Sequence, residues 1–151
     1  MIKIIHVSCY NKPLKIILDI VTKLALFITG GIWAPAQDSV ESWSPEDGTS
    51  CSLPPMTRER YSHTISGGLA CGGSFSTGVA NITCEVWRPS TGQWEELVTN
   101  LTHERNGHVA WTDPDGTTFL IGGYGAWYSV ETVSEDFTVA PASFSLEHDR
   151  A

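Results

Sequence analysis

After Lys23 the sequence has no lysine at all. The four lysines, Lys3, Lys12, Lys15 and Lys23, share the first 23 residues with a single acid, Asp19. From Leu24 onward five arginines face sixteen acidic residues, a net charge of about −11. So acidic a body excludes a phosphate-neutralising surface, and with it nucleic-acid binding. Long apolar runs are also missing. Residues 13–28 (PLKIILDIVTKLALFI) are broken by Lys15, Asp19 and Lys23. A bilayer-spanning helix needs roughly 20 mostly apolar residues, so no membrane span is expected. The same breaks, and the lack of a small-residue cleavage site, argue against a clean signal peptide. There is no Cys-x-x-Cys pair and no zinc-type Cys/His spacing, so no metal site is expected. No Gly-x-Ser-x-Gly elbow or phosphate-binding Gly-x-x-x-x-Gly-Lys loop occurs either, and no catalytic residue or cofactor is expected.

What is present is glycine, aromatic residues and repetition. Fourteen glycines, eight prolines and six tryptophans in 151 residues suggest a turn-rich β protein. Three Gly-Gly pairs, Gly30-Gly31, Gly72-Gly73 and Gly122-Gly123, each end a short apolar run, as a buried strand entering a sharp turn would. Behind the first two pairs the chain repeats itself. Glu41 and Glu85, Trp43 and Trp87, Pro45 and Pro89, and Gly48 and Gly92 are each 44 residues apart. Glu59-Arg60 with His63 then matches Glu104-Arg105 with His108 at a spacing of 45. A register held over so many residue types marks a structural repeat. A third copy follows Gly123, with Glu131 at the Glu41 position and Val133 in place of tryptophan.

A Gly-Gly after an apolar strand, an aromatic residue in a later strand, a Pro-x-x-Gly turn and then Arg-x-x-His resemble kelch repeats. The resemblance covers roughly Leu24 to Arg150. Tyr61-Ser62-His63-Thr64 and Ala70-Cys71-Gly72-Gly73 further resemble a cysteine-containing, secreted kelch subgroup. The resemblance implies an all-β fold: part of a β-propeller built from four-stranded antiparallel blades around a central channel. Residues 1–23 stand apart, as a divergent segment with a short-helix pattern or a blade remnant. Residues 24–151 form the repeat region, with blade elements at about 24–53, 61–97 and 107–146. The strands expected in the middle blade are Tyr61–Ser66, Leu69–Gly72, Thr83–Arg88 and Gln93–Leu97. The first blade should contain Leu24–Thr29, Val40–Ser44 and Ser50–Leu53. The last should contain His108–Thr112, Thr117–Ile121, Ser129–Val133 and Ala142–Leu146. Such a set is short of the 4–8 blades of a ring, and its open strand edges suit self-association.

His63 and His108, with Arg60 and Arg105, have two readings: ligands or acid–base groups, or scaffold packed between strands. Their repetition favours scaffold, because catalytic sites are usually unique. Cys71 and Cys84 flank one hairpin and can face each other as a disulfide. Cys51 is a competing partner, and buried free thiols are the alternative. Asn81-Ile82-Thr83 and Asn100-Leu101-Thr102 are N-glycosylation acceptors by sequence. With the cysteines they point to an extracellular or secretory setting, the alternative being cytoplasmic. Asp113-Pro114-Asp115-Gly116 reads as a hairpin turn rather than a calcium loop. The function expected is a non-enzymatic module that binds a protein or glycan through loops 33–39, 74–80 and 124–128. Trp33, Tyr124 and Trp127 are its best contact candidates. The alternatives are a propeller fragment without a function of its own and, third, a propeller enzyme such as a copper-dependent sugar oxidase.

Overall fold

A computed structural model describes residues 26–29, 35–45 and 48–147. The divergent segment 1–23, Gly30, Gly31 and Trp33 lie outside the described residues. Every described element is a strand or a turn.

Among the described residues, eleven strands form three antiparallel sheets, one per repeat. Blade 1 holds β1 (Leu26–Thr29), β2 (Val40–Trp43) and β3 (Ser50–Leu53), paired in that order. Blade 2 holds β4 (Thr64–Ser66), β5 (Leu69–Cys71), β6 (Cys84–Arg88) and β7 (Gln93–Glu96). Blade 3 holds β8 (Val109–Thr112), β9 (Thr118–Ile121), β10 (Val130–Val133) and β11 (Val139–Pro141). Each blade is a meander whose neighbours in sequence are neighbours in the sheet. The turn chemistry read from sequence makes this possible. In the β8–β9 hairpin the Asp113 carboxylate accepts from the Asp115 and Thr117 amides at 3.0 and 2.9 Å, and Gly116 supplies φ +88°.

Ten strands fall where the repeat predicts them, within a few residues. The last strand does not. The sequence places it at Ala142–Leu146, whereas β11 is Val139–Pro141, paired with β10 as Val133↔Val139. The cause is a tight turn immediately after β10. Ser134 N–H donates to the Thr138 carbonyl at 3.0 Å, Asp136 accepts the Ser134 hydroxyl, and Phe137 takes φ +65°. The chain returns at once, and proline ends the strand.

The middle blade is covered on both faces, so β6 is buried along almost its whole length rather than alternating. Ala70, Trp87 and Trp94 pack towards blade 1 with Val40 and Met56. Trp87 and Trp94 are cross-strand partners with ring centroids 5.7 Å apart. Leu69, Cys71, Cys84 and Val86 pack the other way, against Leu120 and Val133 of blade 3. Cys71 and Cys84 are directly opposed on β5 and β6, with Cα atoms 4.2 Å apart, and form a fully buried disulfide. Cys51 is not its partner.

Candidate functional site

The connectors between blades carry the repeated motif, and each builds one buried cluster. Arg60 enters blade 2 with no exposed surface. Its guanidinium donates to the Gly72 and Thr83 carbonyls at 3.0 and 3.1 Å and to the Glu85 carboxylate at 2.5 Å. Glu85 also accepts from the Thr57 amide and hydroxyl. The next repeat copies the arrangement. Arg105 donates to the Leu120 and Gly122 carbonyls at 3.2 and 3.0 Å and to Glu131 at 2.6 Å, and Thr102 closes on Glu131 through its amide and hydroxyl, both at 2.6 Å. A buried guanidinium needs this density of acceptors, because an uncompensated charge in an apolar interior costs several kcal/mol. Burial pulls the Arg60 pKa below its ordinary value, against the pull of Glu85. Burial pushes Glu131 up, but the bonds from Thr102 and Arg105 outweigh it and hold the carboxyl below its usual range.

Glu85 and Glu131, and the threonines that complete them, went unrecognised in the sequence as partners of the repeated arginines. The signal was available: Thr57 and Thr102, like Arg60 and Arg105, are 45 apart, and Glu85 and Glu131 are 46 apart. Glu59 and Glu104, which lie beside the arginines in sequence, are exposed.

The motif's third position needs a left-handed backbone. Ser62 has φ +53° and its counterpart Gly107 has φ +59°, and the two meet where the Gly107 amide donates to the Ser62 carbonyl at 2.8 Å. This turns the histidines inward. The His108 Nε2 lies 2.6 Å from the Thr64 hydroxyl of the preceding blade. A Cβ on Gly73 would fall 2.9 Å from the His63 Cβ, and one on Gly123 2.7 Å from the His108 Cβ. Gly73 and Gly123 therefore make room for their own blade's histidine. Burial, then the neighbouring arginine, lowers the His63 pKa to about 4 and the His108 pKa to about 3. Both are neutral wedges in the scaffold at neutral pH.

The contact loops expected from sequence, described over 35–39, 74–80 and 124–128, each precede the strand that carries Glu41, Glu85 or Glu131 (β2, β6 and β10), and all lie beside the Arg-x-x-His connectors. Hydrogen bonds join them. The Ala36 amide donates to the Ser76 hydroxyl at 3.2 Å, linking loops of blades 1 and 2. The Asn106 side chain donates to the Ser74 hydroxyl at 3.0 Å, and the Tyr124 amide to the Asn106 carbonyl at 2.9 Å, linking blades 2 and 3. The tip of the last loop is fixed by Gly125, where a Cβ would strike the Glu104 carbonyl at 2.5 Å, and by buried Ala126. On this base Tyr124 and Trp127 stand 63% and 61% exposed, edge to face at 5.5 Å. Val79 on the middle loop is exposed as well.

The two sequons differ. Asn100 is exposed. Asn81 is 1% exposed, and its carbonyl oxygen accepts from the Thr83 amide and hydroxyl at 2.8 and 2.9 Å. The folded blade leaves no space for a sugar on Asn81. Among the described residues no group of three or more His, Cys, Asp or Glu is placed to hold a metal ion, and no helix is long and apolar enough to cross a membrane.

No family model matches the chain, and no curated protein sequence matches it. Among solved structures the chain is similar to the propeller-like protein described as "Structure of YjhT", with a TM-score of 0.59 and 15% identity. The match covers 80% of this chain and 49% of that one, so the chain spans about half the length of the structure it matches. The fold is that of a partial propeller, all-β, with antiparallel blades, two of the three described being four-stranded. Because 93 solved chains match, the fold is widely shared and fixes no activity by itself.

Proposed function

We propose that the chain is a set of kelch-type propeller blades serving as a non-enzymatic interaction module, with a protein or glycan bound at the end where the Tyr124–Tyr128 loop emerges. The observation that carries this reading is the exposed Tyr124/Trp127 pair, packed edge to face on the anchored loop. Aromatic rings fixed in advance offer contact area at little entropic cost and stack on sugar or side-chain faces. The histidines support a non-enzymatic reading, because they recur from blade to blade as neutral wedges, His108 buried and His63 partly so. The buried disulfide and the exposed Asn100 sequon support an extracellular or secretory setting.

The test is to probe the full chain against an immobilised oligosaccharide array and a peptide-display library. The hits are then repeated with Tyr124→Ala/Trp127→Ala. The expected result is a loss of about tenfold or more in affinity for the hits, with an unchanged unfolding transition. Hits that bind the double variant as tightly as the original chain overturn the aromatic-loop reading. Stoichiometric copper in the purified protein would favour a metal-dependent propeller enzyme instead. A second reading, that the chain has no autonomous function, is favoured by the uncovered outer face of blade 3. It requires that the isolated chain lack a cooperative unfolding transition.

A further inference from the structure

Each blade presents one face to the blade before it and one to the blade after it. In blade 2 the following face is fully used. The Thr64 and Ser66 hydroxyls on β4 bond His108 and Thr112 of blade 3, at 2.6 and 2.7 Å. The same register in blade 3 brings Val109 and Trp111 of β8 to the corresponding positions, and they are 61% and 55% exposed. Trp111 stacks on Phe119, with centroids 5.5 Å apart, and Phe119 on Phe144, at 6.4 Å. Phe144 is itself half exposed. The chain after β11 covers the other side of this face: Leu146 reaches to 3.6 Å from where a Gly122 Cβ would lie, and Val130 is buried. What stays open is the β8 side, an apolar and uncharged stripe on a chain of net charge −8.

The opposite end of the chain shows the complementary lack. Trp87 and Glu85 of blade 2 are buried on the side of blade 1. Their counterparts in blade 1, Trp43 and Glu41, are exposed, Trp43 by 36%. Among the described residues, Glu41 and Trp43 on the preceding side of blade 1 are thus exposed, as Val109 and Trp111 are on the following side of blade 3. The chain also spans 49% of the propeller-like structure it matches, so two copies supply about the material of one such chain.

We propose that the β8 side of blade 3 docks blade 1 of a second copy of this chain, and that two copies close one ring through two such head-to-tail junctions. A heterologous contact of this kind stops at a finite number only if its rotation closes. A half-ring per copy closes at two.

The test is light scattering and sedimentation of the full chain over a range of concentrations. The expected species has the mass of two copies of 16.5 kDa. Trp111→Glu and Trp43→Glu should each weaken self-association by about tenfold or more. An equal mixture of the two variants should regain a two-copy species, because a mixed pair keeps one junction in which both tryptophans are intact. Near-UV circular dichroism checks that each variant is folded, and Val109→Glu replaces Trp111→Glu if the latter unfolds. A single copy at every concentration overturns the proposal and leaves the face to another protein or to further blades of a longer chain. It is also overturned if Trp43→Glu leaves a wild-type dimer unchanged, which marks a tail-to-tail contact, or if species larger than two copies form.

Discussion

Gly72 and Gly122 hold the same step of successive repeats, at the same φ of +64°. A Cβ on Gly72 would lie 2.5 Å from the Arg105 carbonyl and 2.9 Å from the His108 ring, both supplied by the next blade. A Cβ on Gly122 would come no closer than 3.4 Å, to the Trp127 carbonyl. The repeat gives both blades the same parts, but a part acquires its full role only when a following blade presses on it. The two faces of blade 3 differ in the same way. Leu120 and Val133 are sealed against blade 2 within the core, whereas Trp111 on the other face stands in solvent.

The strongest way to break this contrast is to disarm the sealed side. Arg105→Met leaves the Glu131 carboxylate buried with its cation gone, and should cost about 3–5 kcal/mol by denaturant unfolding. The exposed Arg58–Glu96 pair is the control. Arg58→Met should cost about 1 kcal/mol or less, and an equal loss from both would erase the distinction. The glycines sharpen the comparison next. Gly72→Ala and Gly122→Ala share a left-handed backbone cost of about 1–2 kcal/mol. Only Gly72→Ala adds a backbone clash, about 1–3 kcal/mol more. The ratio of the two losses measures how much the following blade matters.

Per histidine and per pH unit, acid gives the smallest effect. Both histidines stay neutral in the fold down to about pH 4 for His63 and about pH 3 for His108. In the unfolded chain they protonate near pH 6.5. Between those limits the unfolded chain binds more protons. Stability is therefore complete above about pH 6.5 and drains as the pH falls towards 4 and then 3. The first unit of that fall should cost about 1 kcal/mol per histidine. His108→Gln should roughly halve the slope of the profile below about pH 6.5, measured as the denaturant midpoint from pH 7 to pH 4. An unchanged slope would mean that the imidazole is solvated in the fold.

Much of the fold was legible because a repeat displays its spacing twice. Trp43 with Trp87, and Arg60-x-x-His63 with Arg105-x-x-His108, located the blades and the connectors. Cys71 and Cys84 faced each other across the hairpin their positions suggested. What escaped was information carried by contact rather than by spacing. Glu85 looks like any strand acid until Arg60 and Thr57 are seen closing on it. The final strand was placed too late because Ser134–Thr138 lacks the glycine or proline that marks most turns, and a phenylalanine occupies its left-handed step. Of the loop candidates, Tyr124 and Trp127 were findable as aromatics after a glycine pair. That they stand beside a connector shared with the preceding blade depends on the chain's return path, which no local pattern carries.

The buried Asn81 has a consequence in time. Oligosaccharide transfer acts on an asparagine whose amide nitrogen can be approached, and here that approach ends when β6 pairs with β5 and Thr83 folds over the side chain. In a compartment that glycosylates, Asn81-Ile82-Thr83 would behave as a stopwatch on this hairpin. A quickly closing chain would leave it bare, a delayed one would be marked, and the mark would itself keep the blade from closing.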